Sequence, residues 1–229
     1  MLAPSSSPRL ISRERGNVST KGHKWFAAYY DRLMAWAEKG FLKHARSHIV
    51  SGARGRVLEV GAGTGANFPY YDASEARTVV ATEPDPYMLK RARRRLYELR
   101  LPIDLQQALA EELPFADGSF DTVISTLVMC TVADLDGALR EIRRVLKPSG
   151  QFRFYEHVRS THSVGAFFQD LATPAWRWLG AGCSPNRDVA AAIRGAGFRL
   201  QEFRRLYPVP NIPPVSIARP HISGVALPS

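Results

Sequence analysis

Residues 57–65 read Val-Leu-Glu-Val-Gly-Ala-Gly-Thr-Gly, three glycines within five positions at the end of a run suited to a buried strand. A tight turn that brings the backbone against a ligand needs residues without a Cβ, and a helix opening behind it adds outward N–H groups. A strand, a glycine loop and a helix in that order belong to a parallel sheet with crossover helices. The remainder of the chain keeps the same rhythm, with short β-branched runs alternating with helical segments after Gly55. Strands are predicted at 56–60, 78–83, 103–108, 120–126 and 151–157, and helices at 65–71, 86–100 and 134–147. The last of these helices is well marked. Asp134 or Asp136 caps its start, Leu135, Leu139, Ile142 and Leu146 recur at helical spacing, and Pro148-Ser149-Gly150 ends it. A further helix is expected at about 164–181 and another at 188–195, followed by runs at 199–207 and 215–227 that pair antiparallel and close the sheet. The expected fold is α/β, a seven-stranded doubly wound sheet with its last strand antiparallel.

Ahead of this unit, residues 1–20 are rich in Ser, Pro and Arg without apolar periodicity and read as a disordered tail. Trp25, Phe26, Tyr29, Tyr30, Leu33, Met34, Ala37, Phe41 and Leu42 then recur at helical spacing, so residues 21–52 are expected to form an N-terminal helical cover. Such a face can lie over a ligand site or on a membrane surface, and the first is preferred. With 229 residues and no internal repeat, residues 21–229 form one domain. No apolar stretch approaches the roughly 20 residues that cross a bilayer and no signal sequence opens the chain, so the expected location is cytoplasmic. Cys130 and Cys183 are far apart and form no CxxC pair, which argues against a zinc cluster and a disulfide scaffold; no metal is expected. The net charge of +10 suits a polyanion, but no zinc-finger spacing or RNA-binding aromatic signature accompanies it, and no nucleic-acid partner is expected.

The glycine loop alone admits two cofactors. Gly61-x-Gly63-x-x-Ala66 satisfies the dinucleotide fingerprint, and Glu83 lies where a ribose carboxylate falls in either reading. Glu59 separates them. A carboxylate at the end of the first strand repels a pyrophosphate but attracts the ammonium and sulfonium of S-adenosylmethionine, while Glu83 can accept both ribose hydroxyls.

Beyond the loop, Ala110-Glu111-Glu112-Leu113-Pro114-Phe115 leads to Ser119-Phe120-Asp121. With this segment the chain resembles the class I methyltransferases of the broad type-11 group, which have a Rossmann-like sheet and use S-adenosylmethionine. The resemblance implies that Ala110 and Glu111 contact the adenine edge, although the acid usual for that contact would fall near Leu109. It also implies cofactor contacts from Tyr30 on the cover, Glu59, Gly61, Gly63, Gly65, Asn67, Glu83, Pro84, Met88, Thr126 and Leu127. Leu58-Glu59 through Asn67-Phe68, Ser125 through Cys130-Thr131-Val132, Glu156-His157-Val158, Gly182-Cys183 with Arg187, and Arg219-Pro220-His221 more narrowly resemble the methyltransferase-like 7 group. Members of that group methylate alkyl thiols and sulfide. Its eukaryotic members carry an apolar N-terminal anchor; residues 1–20 here are polar, so no anchor is expected.

The implied acceptor is a small molecule whose sulfur takes the methyl group by direct in-line displacement. Three residues are candidates for handling it. His157, expected beyond the fifth strand, can act as base, hydrogen-bond donor or structural group; Arg187 can balance a thiolate or make a helix-start salt bridge; and Cys130 can shape the transfer pocket. Phe168, Trp176 and Trp178 would wall the pocket, and His221 reads as structural. Alternative acceptors are a phospholipid headgroup amine and a phenolic oxygen. A chain that binds the cofactor as a partner subunit and methylates nothing is the non-enzymatic alternative.

Overall fold

The computed structural model describes residues 24, 28–29, 32, 37–180, 182–212 and 215–229. The 1–20 tail, Trp25, Phe26, Tyr30, Leu33 and Met34 lie outside the described residues. Five helices and seven strands are described from Phe41 onward: α1 (Phe41–Val50), β1 (Gly55–Val60), β2 (Ala76–Thr82), α2 (Pro86–Leu99), β3 (Ile103–Gln106), β4 (Phe120–Thr126), α3 (Leu135–Val145), β5 (Leu146–His157), α4 (Ser163–Leu179), α5 (Val189–Gly195), β6 (Phe198–Leu206) and β7 (His221–Pro228).

The strands form one sheet in the order β3-β2-β1-β4-β5-β7-β6, and β7 runs antiparallel to both of its neighbours. The chain steps outward from β1 to β2 and β3, then returns to place β4 on the other side of β1. The carboxyl ends of β1 and β4 therefore flank the point where the winding reverses, which is where open α/β sheets bind ligands. One sheet face packs Val123, Phe152 and Phe154 against Leu139, Ile142 and Ile193 of α3 and α5. The opposite face packs Val57, Ile124 and Tyr155 against Leu42, Ile49 and Val50 of α1. Each such fully buried side chain contributes about 1.5–3 kcal/mol. Arg153, buried on β5, fixes α1 on the sheet by donating to the carbonyls of Ile49 (2.6 Å) and His48 (3.1 Å), and so neutralises the helix's negative end.

Three caps follow from sequence. Asp85 accepts from the N–H groups of Tyr87 and Met88, Asp134 from that of Gly137, and Asp188 from that of Ala191. The expected helix at 65–71 is replaced by turns and a single 3-10 turn, Phe68–Tyr70, because Gly65 sits at φ +80° and Pro69 has no N–H to continue a helix. The strand expected at 215–227 begins only at His221. Residues 215–218 make a 3-10 turn, and Pro220 precedes the first paired residue.

Candidate active site

At the carboxyl end of β1 the three glycines all take positive φ: +67° at Gly61, +58° at Gly63 and +80° at Gly65. Their reasons differ. A Cβ on Gly61 would lie 2.6 Å from Val128, and one on Gly65 would lie 2.3 Å from the Phe68 ring, whereas a Cβ on Gly63 would meet nothing within 4 Å. Gly61 and Gly65 thus serve packing, and the open side of the loop is at Gly63. The Gly63 N–H donates to Glu83 (2.8 Å), whose other oxygen accepts from the Asp85 N–H (2.9 Å). Burial pushes the Glu83 carboxyl up to about 7, against those two N–H bonds.

Glu59 is almost wholly buried beneath the loop and is the centre of a side-chain network. It accepts from the Tyr71 hydroxyl (2.7 Å) and from Asn67 Nδ2 (3.0 Å); the same amide nitrogen donates to Thr126 (3.1 Å), and Asn67 Oδ1 accepts from Arg46 (2.8 Å). Arg46 is held in turn by a bidentate pair with Glu38. Burial raises Glu59 to about 7, opposed by the Tyr71 and Asn67 hydrogen bonds and the Arg46 charge. Asn67 and Thr126 are thereby tied to the β1 acid from two different elements. Leu127, next to Thr126, takes φ +60° and anchors its N–H on the Tyr155 carbonyl (2.8 Å), which turns the chain sharply out of β4.

Of the other cofactor candidates, Met88 is buried at the first turn of α2, and the Pro84 carbonyl accepts from Gln107 (2.9 Å). Ala110 is buried, whereas the Glu111 carboxylate accepts from the N–H groups of Ala133 (2.8 Å) and Asp134 (3.2 Å) and so braces the start of α3. The Leu113-Pro114-Phe115 segment is clamped from α3. Arg144 donates to the carbonyls of Leu113 and Phe115 and to Glu141, while Glu141 accepts from the Leu113 N–H.

One strand further along the carboxyl edge of the sheet, three reactive groups converge. Cys130 from the β4–α3 loop, His157 at the end of β5 and Cys183 from the α4–α5 loop have their sulfurs and the His157 Nδ1 mutually 3.6 Å apart. Fifty-three residues separate the cysteines, so sequence distance misjudged them: their loops are joined by the Ser184 N–H bond to the Cys130 carbonyl (2.7 Å). Gln169 supports the same loop from α4, reaching the carbonyls of Val158, Pro185 and Ile217. Its hydrogen bond with Cys130, then the His157 imidazole, hold the Cys183 thiol below its ordinary value, against burial. Cys130 is pushed up by Cys183, by burial and by the charge of Glu156. Glu156 is fully buried, accepts from the Ser125 hydroxyl and the Val128 N–H (3.1 Å), and is raised by burial to about 7.

Among the described residues Arg187 makes neither the helix-start salt bridge nor an ion pair with another acid. Its Nη1 donates to the carbonyls of Met129 (3.0 Å) and Val132 (2.7 Å), so it positions the loop carrying Cys130, and its charge favours the Cys130 thiolate. Trp176 turns inward with Nε1 buried, but Phe168 and Trp178 are 56% and 85% exposed and wall nothing among the described residues. His221 opens β7 opposite His157, its ring 4.4 Å from the His157 ring, and its Nδ1 donates to the Arg219 carbonyl (3.0 Å), a structural placement.

The human thiol S-methyltransferase TMT1A is 32% identical over 209 residues, which are 88% of this chain and 82% of that protein. The chain belongs to the S-adenosylmethionine-dependent methyltransferases. Residues 58–154 match the methyltransferase domain family, which spans the glycine loop, the clamped segment and most of β5. A phosphatidylethanolamine N-methyltransferase of Cereibacter sphaeroides is 33% identical over 142 residues, 61% of this chain and 68% of that one. The fold is that of a solved S-adenosylmethionine-dependent methyltransferase of Thermotoga maritima, with TM-score 0.64 and 20% identity over 89% of this chain and 98% of that chain.

The methyltransferase residues fit this cofactor on their own chemistry. Two acids, Glu59 and Glu83, flank a loop whose one unobstructed glycine is Gly63, an environment for a cation bearing a ribose and not for a pyrophosphate. Bound there, the cofactor supplies an electrophilic methyl group on a cationic sulfur; the chain supplies orientation and charge. Sequence reasoning missed Arg46, Glu38 and Tyr71, which hold Glu59, and gave no role to Glu156, whose charge acts on Cys130. Only Glu156 carried a signal, as the one acid in the β5 run.

Proposed function

We propose that this methyltransferase transfers the methyl group to the sulfur of a small-molecule thiol or sulfide. The observation that carries the reading is the extent of the likeness to the thiol S-methyltransferase TMT1A. A match over 88% of the chain necessarily includes the β4–α3 loop, His157 and the loop bearing Cys183, so it extends beyond the cofactor half to the acceptor side. The chemistry of the site supports it. Attack on a sulfonium methyl is an in-line displacement that needs alignment and charge cancellation more than a strong base. A thiol of pKa near 8.5 is already a few per cent ionised at neutral pH, and nearby cationic groups increase that share. His157 is the ionisable side chain at the β5 carboxyl end that faces the cysteines, and it can take the acceptor proton.

Incubation with methyl-labelled S-adenosylmethionine and a panel of alkyl thiols, sulfide, phenols and amines tests the reading. Labelled thioether is the expected product; label in amines alone overturns it. A second reading, methylation of a lipid headgroup amine, is favoured by the Cereibacter relative and by one surface feature. Val164, Phe167, Phe168, Leu171, Trp178 and Leu179 are exposed along α4 at helical spacing, a face suited to a bilayer surface. Flotation with phosphatidylethanolamine vesicles, followed by analysis for methylated lipid, separates the two.

A further inference from the structure

We propose that Cys130, His157 and Cys183 form a tetrahedral binding site for a soft divalent metal, zinc being the one whose chemistry fits, with the fourth position taken by the acceptor thiol. The acceptor part rests on the thiol reading above; the metal site does not.

The geometry is the first argument. Tetrahedral zinc with Zn–S of about 2.3 Å and Zn–N of about 2.0–2.1 Å requires S···S of about 3.8 Å and S···N of about 3.6 Å. The three distances here are 3.6, 3.6 and 3.6 Å. In an equilateral triangle of that edge each ligand atom is about 2.1 Å from the centre, so an ion at bonding distance sits just above the plane of the three atoms and presents one open side. Two thiolates and an imidazole are a zinc donor set, and three protein ligands with an open fourth position are the pattern of zinc sites that do chemistry.

The surroundings are built, not accidental. Three separate elements deliver the ligands, and each is locked by bonds unrelated to the cluster: Ser184 to Cys130, Arg187 to Met129 and Val132, and Gln169 to three carbonyls. Trp176 Nε1 is buried with no hydrogen-bond partner among the described residues, and it and the Cys183 Cβ each lie 3.4 Å from where a Gly180 Cβ would be, so the indole sits beside the cysteine loop as a donor for a metal-bound thiolate. Both cysteines are buried, whereas His157 is only partly buried and gives the cluster its outer side.

The site would hold the acceptor as its thiolate beyond the few per cent that free ionisation gives, with His157 serving as a ligand when the metal is bound and as a proton acceptor only when it is not. On coordination the thiol replaces a metal-bound water and gives its proton to solvent. A zinc ion with two cysteine thiolates is neutral overall, so the added thiolate makes the centre anionic and attracts the sulfonium. A sulfur lone pair then bonds to the methyl carbon as the carbon–sulfonium bond breaks and its electron pair stays on the cofactor sulfur. The neutral thioether is a weak ligand and is replaced by water.

The test uses the full chain prepared under reducing conditions and titrated with Zn(II) against a chromophoric chelator, and with Co(II) read by absorption. One ion per chain is expected, with thiolate-to-cobalt charge-transfer absorption and the strong visible bands of a four-coordinate ion. Cys130→Ser, Cys183→Ser and His157→Ala should each weaken binding by more than the 10–100-fold typical of losing an outer partner. Calorimetric binding of S-adenosylmethionine shows that each variant is folded. Absence of stoichiometric zinc in a chain that binds S-adenosylmethionine, equal affinity in all variants, or a chain two hydrogens lighter with its cysteines joined would overturn the site. Adding an alkyl thiol should change the cobalt spectrum, and the amine of the same skeleton should not. Metal bound with no spectral response to thiol, or full-rate thiol methylation by the metal-free chain, overturns the acceptor role while the site or the thiol reading stands.

Discussion

Gly63→Ala separates the glycine that faces the cofactor from those that serve the fold. The new Cβ meets nothing within 4 Å, so the folding cost is the left-handed backbone alone, about 1–2 kcal/mol. In a chain of this size each kcal/mol lowers Tm by about 2–4 °C, which predicts a loss of about 2–8 °C without ligand. Gly65→Ala adds to the same strain an overlap with the buried Phe68 ring at 2.3 Å, about 1–3 kcal/mol more. Gly118→Ala is the control: it has φ +60°, an equally open Cβ position, and a turn braced by the Arg144 carbonyl away from the loop. The three variants are compared by thermal unfolding and by calorimetric binding of S-adenosylmethionine. Gly63→Ala and Gly118→Ala should lose similar stability, but only Gly63→Ala should lose cofactor affinity, by at least about tenfold or 1.4 kcal/mol. Gly65→Ala should be the least stable. Cofactor affinity of Gly63→Ala within twofold of the parent would refute the assignment of this loop.

Cofactor affinity should also depend on pH. Glu59 and Glu83 are both raised to about 7, so each is neutral well below that value and ionised above it, and a cationic ligand with ribose hydroxyls prefers the ionised forms. Affinity should therefore rise from pH 5.5 to 7.0, and Glu59→Gln should flatten the rise in calorimetry. Asn67→Leu removes the shared partner of Arg46, Glu59 and Thr126; it should cost about 2–3 kcal/mol in urea unfolding as well as weaken cofactor binding. Arg187→Ala leaves the Met129 and Val132 carbonyls without their donor and should cost about 1–3 kcal/mol, while cofactor affinity stays at the parent value.

The cofactor half was legible because its signals are local. Three glycines in five residues, an acid within the first strand and another after the second follow from neighbouring backbone and side-chain needs, and the strands near 56–60 and 120–126 appear almost where the alternation puts them. Local patterns misled where backbone conformation overrode composition: Gly65 at positive φ with Pro69 broke the helix read at 65–71, and Pro220 delayed the last strand. The acceptor half was not legible. Cys130, His157 and Cys183 lie on three elements brought together by sheet order and by the Ser184–Cys130 backbone bond, and no spacing rule relates residues joined in that way. Trp176 and Trp178 are two positions apart on one helix, and only tertiary packing decides that the first turns inward and the second faces outward.

The central claim, a methyltransferase whose acceptor atom is sulfur, is tested most directly by kcat/KM for three acceptors of one carbon skeleton, 2-phenylethanethiol, 2-phenylethanol and 2-phenylethylamine, at saturating S-adenosylmethionine. The account predicts thioether formation with the thiol favoured over both others by at least about 100-fold, roughly 2.7 kcal/mol of transition-state preference. An amine or alcohol methylated as efficiently as the thiol would contradict it.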